Sequence, residues 1–389
     1  MTLQAIDKTL RQWYMPLMIV VCLGLLCGHI VNVTTSLTVF HLFLAIAALL
    51  TLCYRAPLSK IFYVVAGYFM LYGVWTLTAS FVWGDPLSGK EILKFLSIII
   101  LVIAVLRIML VSPRKALEAF FYVCIVYLTA MTAMGYVEHF TRWHLPTSAC
   151  VTEFADVNAA SGLCYNPNDY SVLLIMAALY ILAYSSCFLE KRWHFIGFVA
   201  IGICLPLMLW NDCRTGLGVS ALAILFYLVS LIKNRKITIA IIATALITAV
   251  VAIIFNHHLI GTRLQLYVSS FLSLYDSYGI GFGINGDKNY LAELNNYNIT
   301  KGLTNAHSYL FLILFTSGLP IFLLYCLMTV WIMKCSATEG RNLFWIMPIF
   351  YLLLLFSPSS ALYLWGHYLF FCAYVCYAAY ALDKNKQTT

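Results

Sequence analysis

The sequence predicts an all-α fold: a polytopic bundle of about twelve membrane-spanning helices, with a helical external segment near residues 256–307. Three observations predict it. Hydrophobic residues make up 63% of the 389-residue chain and charged residues only 10%, where an ordinary soluble domain has about 25% charged. The apolar residues gather into runs of roughly the 20 residues that a helix needs to cross a bilayer. The basic residues concentrate on alternate connecting segments. A chain of this balance has no water-soluble core large enough for its apolar surface, and neither a separate soluble domain nor a cleavable signal peptide stands out.

Taken in order, the runs lie at about 15–33, 37–54, 61–83, 92–111, 117–137, 170–188, 194–211, 216–232, 237–255, 308–333, 343–357 and 361–381, each judged against the span length. The eleventh is short, which a bilayer accommodates by local thinning. With the N-terminus placed in the cytoplasm, inside segments carry 16 of the 23 basic residues. The hairpin Lys233-Asn234-Arg235-Lys236 is the clearest anchor. Both termini are then cytoplasmic. The acidic residues divide the other way, with ten of 15 outside. Inside loops are too short for a nucleotide-binding domain, so the polar chemistry is external. ATP and nucleotide sugars are scarce there, and a substrate must arrive already energised.

Most of the 13 cysteines lie in apolar runs, where Cys behaves as a small hydrophobe. Cys150 and Cys164 fall in a polar loop. They form either a disulfide, if the loop faces an oxidising compartment, or two separate thiols.

Three external stretches are polar: Glu138 to Tyr170, the corner Trp210 to Gly216, and Asn256 to Ser308. In the corner, Arg214 follows Asp212 by two residues. Its bland role is to snorkel toward lipid headgroups. Its chemical role would be bidentate recognition of phosphate by a planar guanidinium. Arg263 precedes Leu264, Tyr267, Val268, Phe271, Leu272 and Tyr275, whose spacing predicts an amphipathic helix. That helix either lies on the outer membrane surface or packs against the bundle. Gly281-x-Gly283-x-x-Gly286 matches the dinucleotide fingerprint formally but lacks the βαβ setting; it reads as a tight turn using positive φ. His307 opens the tenth span, where it is either structural or, with an ordinary pKa of about 6.5, a general base. His144, His257 and His258 are also external, at spacings that match no metal motif.

Four places carry a family likeness: Arg214-Thr215-Gly216 after an apolar span, Asn166-Pro167-Asn168-Asp169 opening the sixth span, Gly279-Ile280-Gly281-Phe282-Gly283, and His307 leading into an apolar helix with a glycine. Together they resemble the O-antigen ligase and polysaccharide polymerase family of bacterial envelope proteins, over about residues 60–380. Glu138 with His144-Leu145-Pro146 is similar to the polymerase branch. Ser308 departs from the family, in which Asn is usual.

The resemblance implies a metal-independent, inverting glycosyltransferase of the bacterial inner membrane, with no cofactor. Its donor would be a glycan on undecaprenyl pyrophosphate. Its acceptor would be another lipid-linked glycan for a polymerase, or lipid A-core for a ligase. Membrane lipids and a chain-length regulator protein are further implied partners, and nucleic acid is not. By this likeness Arg214 and Arg263 bind pyrophosphate, His307 acts on the acceptor hydroxyl, and Glu138, Asn168 and Asp169 are candidate acceptor contacts. A transporter, with outer arginines as an anion funnel, is the competing class. It would need charged or broken helices near the midplane.

Overall fold

The computed structural model describes residues 3–28, 38–54, 58–84, 87–146, 148–152, 159–232, 261–296, 308–337, 342–356 and 364–388. Among them there are helices and turns and no β-strand. The helices are α1 (Leu3–Gln12), α2 (Tyr14–Cys27), α3 (Val39–Cys53), α4 (Lys60–Val82), α5 (Gly89–Met109), α6 (Pro113–Thr141), α7 (Ala149–Thr152), α8 (Pro167–Phe188), α9 (Phe195–Trp210), α10 (Arg214–Ser230), α11 (Gly261–Asp276), α12 (Gly286–Asn296), α13 (Tyr309–Ser336), α14 (Leu343–Leu354) and α15 (Gly366–Thr388). Helices stand at eleven of the twelve expected spans. The remaining run, 237–255, lies outside the described residues.

Among the described residues, six helical stretches are long and apolar enough to cross a membrane: Lys60–Val82, Gly89–Met109, Pro113–Thr141, Pro167–Phe188, Lys191–Trp210 and Tyr309–Ser336. The apolar helices α2, α3, α10 and α14 are shorter. The outward faces agree with a lipid solvent. Leu52, Val74, Phe81, Leu209 and Leu327 are each more than half exposed on helix sides, and apolar exposure on this scale marks an interaction surface rather than ordinary protein–water contact. The protein is membrane-embedded and helical.

Helices α8 and α15 form the centre. Every α8 residue from Asp169 to Ser185 is buried, as expected of a helix that is apolar all round. It packs against α6, α9, α14 and α15. Helix α15 is rich in tyrosine, and its rings interlock with neighbours: Tyr377 stacks on Phe344 at 4.2 Å between centroids, and Phe370 meets Phe120 edge-on at 5.3 Å. Two buried tyrosines of α8 find backbone partners for their hydroxyls. Tyr180 donates to Leu117 O and Tyr170 to Met131 O.

Local signals set the helix starts. Asn166 caps α8, its side-chain oxygen accepting from Asn168 N at 2.8 Å, with Pro167 at the first helical position and Asp169 in the first turn. All three choices suit a helix N-terminus. Ser88 and Glu91 form a capping box on α5.

Cys150 and Cys164 carry buried thiols, not a disulfide. The Cys150 thiol is 3.6 Å from Ala159 O, and burial pushes the Cys164 thiol well above its ordinary pKa. Neither is poised to react. In the folded protein at neutral pH, a maleimide should therefore leave both peptides unmodified. After unfolding without reductant it should modify both, as read by peptide mass mapping. Peptides that stay unmodified until reductant is added would show a bridge.

Candidate functional site

The turn that follows α11 is inserted into a break in α13. Pro320 has no N–H to give to Thr316 O, and Gly318 has φ 68° and ψ −168°, far from helical values. Leu319 N and the carbonyls of Phe315 and Thr316 consequently lose their helical partners. The glycine turn replaces them: Phe282 N donates to Phe315 O at 2.7 Å, Gly283 N donates to Thr316 O at 2.9 Å, and Leu319 N donates to Gly279 O at 2.9 Å. This is why irregular backbone is tolerated at this depth, since it is paired within the protein.

Helix α4 clamps the other side of the turn. Trp75 Nε1 donates to Ile280 O and Trp83 Nε1 to Gly281 O, at 3.0 and 2.9 Å. Ser80 Oγ accepts from Ile284 N at 2.8 Å. Thr76 and Ser317 hydroxyls join α4 to α13 at 2.7 Å. The expected positive φ is present at Gly279, Gly281 and Gly283. At Gly283 it is also a matter of space: a Cβ there would lie 2.5 Å from Ser80 Cα.

Helix α11, which leads into the turn, is amphipathic as expected, with its apolar stripe facing outward. Val268, Phe271, Leu272 and Tyr275 are exposed, while Ser269, Ser270 and Ser273 are buried. The serines satisfy their hydroxyls on the helix's own carbonyls, for example Ser269 on Gln265 O at 2.8 Å. They let the helix approach α13 closely. Tyr267 of the stripe turns inward, stacking on Phe311 at 4.2 Å. Arg263 belongs to α11 by its backbone, and its side chain lies outside what is described. His307 lies outside the described residues too. The next residue, Ser308, is fully buried, and its hydroxyl has no hydrogen-bond partner among the described residues.

A second polar group ties the loop before α8 to the ends of α6 and α9. The last turn of α6 reaches past the expected end of its span, so Glu138 is helical and completely buried. Its Oε2 accepts from Ser161 N at 2.7 Å and Gly162 N at 2.8 Å, with His144 Nδ1 3.7 Å away. The carboxylate therefore closes the loop, and no face of it is open to solvent. Asn211 does the same from α9: it accepts from Ala160 N and donates to Ala160 O, both at 2.7 Å, and reaches Ser171 Oγ at 3.0 Å. Asp169 is buried in the first turn of α8 and Asn168 is half-buried beside it.

Arg214 follows this group by three residues and opens α10. Asp212 reverses the chain with φ 48°, and its carboxylate takes Arg214 Nε and Nη2 as a fork, at 2.9 and 2.8 Å. Both side chains are more than half exposed. An exposed pair of this kind is held weakly, so the guanidinium can exchange one oxyanion for another. Its position at a helix N-terminus adds to its attraction for an anion.

Sequence reasoning passed over a third cluster, at the start of α15. His367 is fully buried, with Nδ1 2.7 Å from Tyr351 Oη and its ring 5.1 Å from Tyr309. Tyr309 is two residues from His307. The sequence carries no spacing signal for it, because Trp365-Gly366-His367 lies inside the last apolar run, 361–381. Among the described residues no three His, Cys, Asp or Glu side chains assemble in a way that could hold a metal ion. No protein-family model matches the chain, and no curated protein matches it.

The turn's role generates a direct test. Gly283→Ala adds strain at positive φ and overlap with Ser80, together costing about 2–4 kcal/mol. Gly218→Ala, whose Cβ would meet nothing within 4 Å, is the control. Thermal unfolding in detergent should show a fall of roughly 5 °C or more for Gly283→Ala and none for Gly218→Ala. Equal midpoints would mean that the turn is not locked in the break.

Proposed function

We propose that this protein is an inverting glycosyltransferase acting on the outer face of a bacterial inner membrane. It uses a glycan carried on undecaprenyl pyrophosphate and polymerises O-antigen or exopolysaccharide repeat units. In this reading the chain crosses the membrane twelve times, with both termini in the cytoplasm. The Arg214 corner, the loop held by Glu138 and the glycine turn then share the outer side.

The observation that carries the reading is Arg214: a forked, exposed cation at a helix N-terminus, at the polar end of an apolar bundle, paired with a carboxylate that a pyrophosphate could displace. The acceptor hydroxyl attacks the anomeric carbon, the bond to the pyrophosphate oxygen breaks, and undecaprenyl pyrophosphate leaves. Charge develops on the leaving oxygens, where Arg214 and Arg263 stabilise it. His307 takes the hydroxyl proton or orients the hydroxyl. Asn168 is the half-buried polar side chain nearest in sequence to the closed loop and remains a candidate acceptor contact. Glu138, with its acceptor oxygen committed to Ser161 and Gly162, supports the same site by holding the loop.

The broken helix α13 favours a second reading as a transporter, since discontinuous helices form many ion and substrate sites. The backbone groups freed at the break are taken by the chain's own turn, which leaves them no cargo to bind. The transferase reading is therefore preferred.

Deleting the gene tests the function. A lost polymerase leaves single repeat units on lipid A-core. A lost ligase leaves bare core with polymer still on the lipid carrier. A surface glycan unchanged in both respects would contradict the proposal.

Two substitutions test the roles. Arg214→Ala should reduce transfer at least tenfold, with partial rescue by Arg214→Lys, because lysine offers a point charge without a fork. His307→Ala should keep donor affinity and lose about 10²–10⁴-fold in transfer rate. Unchanged transfer by either alanine variant, measured on purified protein, would remove that residue from the site.

A further inference from the structure

An apolar groove runs along the outside of the bundle between α4 and α13, beginning about one helical turn from the glycine turn. It encloses about 440 Å³ and is walled by Val64, Tyr68 and Leu71 on one side and Leu324, Leu327 and Trp331 on the other. Gly67 lies midway along it. In a membrane helix a glycine ordinarily allows another backbone to approach closely. At Gly67 nothing approaches, and an added Cβ would meet no atom within 4 Å. The missing side chain leaves the floor of the groove open.

One end of the groove is cationic. The helices are antiparallel, with Thr76 bonded to Ser317 and the rings of Tyr68 and Tyr325 5.6 Å apart. That register brings Lys60, which lines the groove, level with Lys334. Both lysines are exposed, and among the described residues neither has an ion-pair partner. From Lys60 to Leu71 the helix rises about 16 Å at ~1.5 Å per residue. That is close to half of the ~30 Å hydrocarbon thickness.

We propose that this groove binds one anionic phospholipid, with an acyl chain along Gly67 and the phosphate between Lys60 and Lys334. A slot one leaflet long, apolar along its length and doubly cationic at its interfacial end, matches a phospholipid anion better than a neutral lipid. The leaflet follows from the twelve-span reading above, which puts Lys60 and Lys334 inside, where anionic headgroups attract basic residues. On that reading the glycan donor has its pyrophosphate at the opposite face and does not reach these lysines. The bound lipid would brace the two helices that hold the glycine turn.

The test is thermal unfolding of the purified protein in neutral detergent, titrated with dioleoyl phosphatidylglycerol or dioleoyl phosphatidylcholine. Phosphatidylglycerol should raise the midpoint of the unaltered protein by at least about 3 °C at saturation, and phosphatidylcholine should raise it much less. Gly67→Leu fills the groove and should abolish the phosphatidylglycerol shift. The double variant Lys60→Gln/Lys334→Gln changes only exposed positions, and should reduce that shift to the phosphatidylcholine level. Equal shifts for the two lipids would overturn the proposal, as would an undiminished shift in both variants. A larger shift with undecaprenyl phosphate than with phosphatidylglycerol would also overturn it, by assigning the groove to an isoprenoid. The readout is binding, so it is independent of whether the protein transfers sugar.

Discussion

Three backbone hydrogen bonds close the break in helix α13. Helix α13 is interrupted at Gly318 and Pro320, and the interruption leaves one N–H and two carbonyls without helical partners. In a medium that excludes water each such group costs several kcal/mol. Together they rival the 5–15 kcal/mol that separates a folded protein from its unfolded chain. The turn from Ser277 to Gly283 cancels that cost bond for bond. Its exact fit requires Gly318 to adopt a backbone that L side chains rarely adopt, and requires Trp75, Ser80 and Trp83 on α4 to hold the turn's remaining groups.

Much else follows from that fit. Because the turn must enter the bundle, α11 is drawn against α13 on its serine face, and its apolar stripe is left facing outward. Outward-facing Val268, Phe271, Leu272 and Tyr275 suit the boundary between lipid chains and headgroups. Arg263 belongs to the first turn of the same helix. On the other side of the bundle Glu138 and Asn211 perform the analogous task for the loop before α8, using side chains where α13 uses backbone. Both groups fix backbone that is not helical, and Arg214 stands beside the second group with its guanidinium exposed.

The helices were legible in the sequence because their signals are local. Apolar runs, the Asn166 cap with Pro167 behind it, and the glycines of the turn each act through their own few residues. Two features were not legible. Glu138 reads as a loop residue, because nothing in the sequence shows that α6 continues past its apolar run to Thr141. The α11 stripe has a clear period, but a period cannot say whether the stripe faces protein or lipid; buried serines decided that. Of the candidate site, Arg214 is exposed and forked onto Asp212. Asn168 and Asp169 lie in the first turn of α8. The cluster at His367 was overlooked because a single histidine in a tyrosine-rich run carries no spacing of its own.

In the proposed reaction, glycan moves from a lipid pyrophosphate to an acceptor on the outer side. Reconstitution measures it most directly. The purified protein, placed in liposomes with undecaprenyl-pyrophosphate-linked repeat units from its own host and with EDTA present, should produce longer lipid-linked chains and release undecaprenyl pyrophosphate in step with them. Repeat units that remain single, in vesicles where the protein is folded and the donor is accessible, would contradict it.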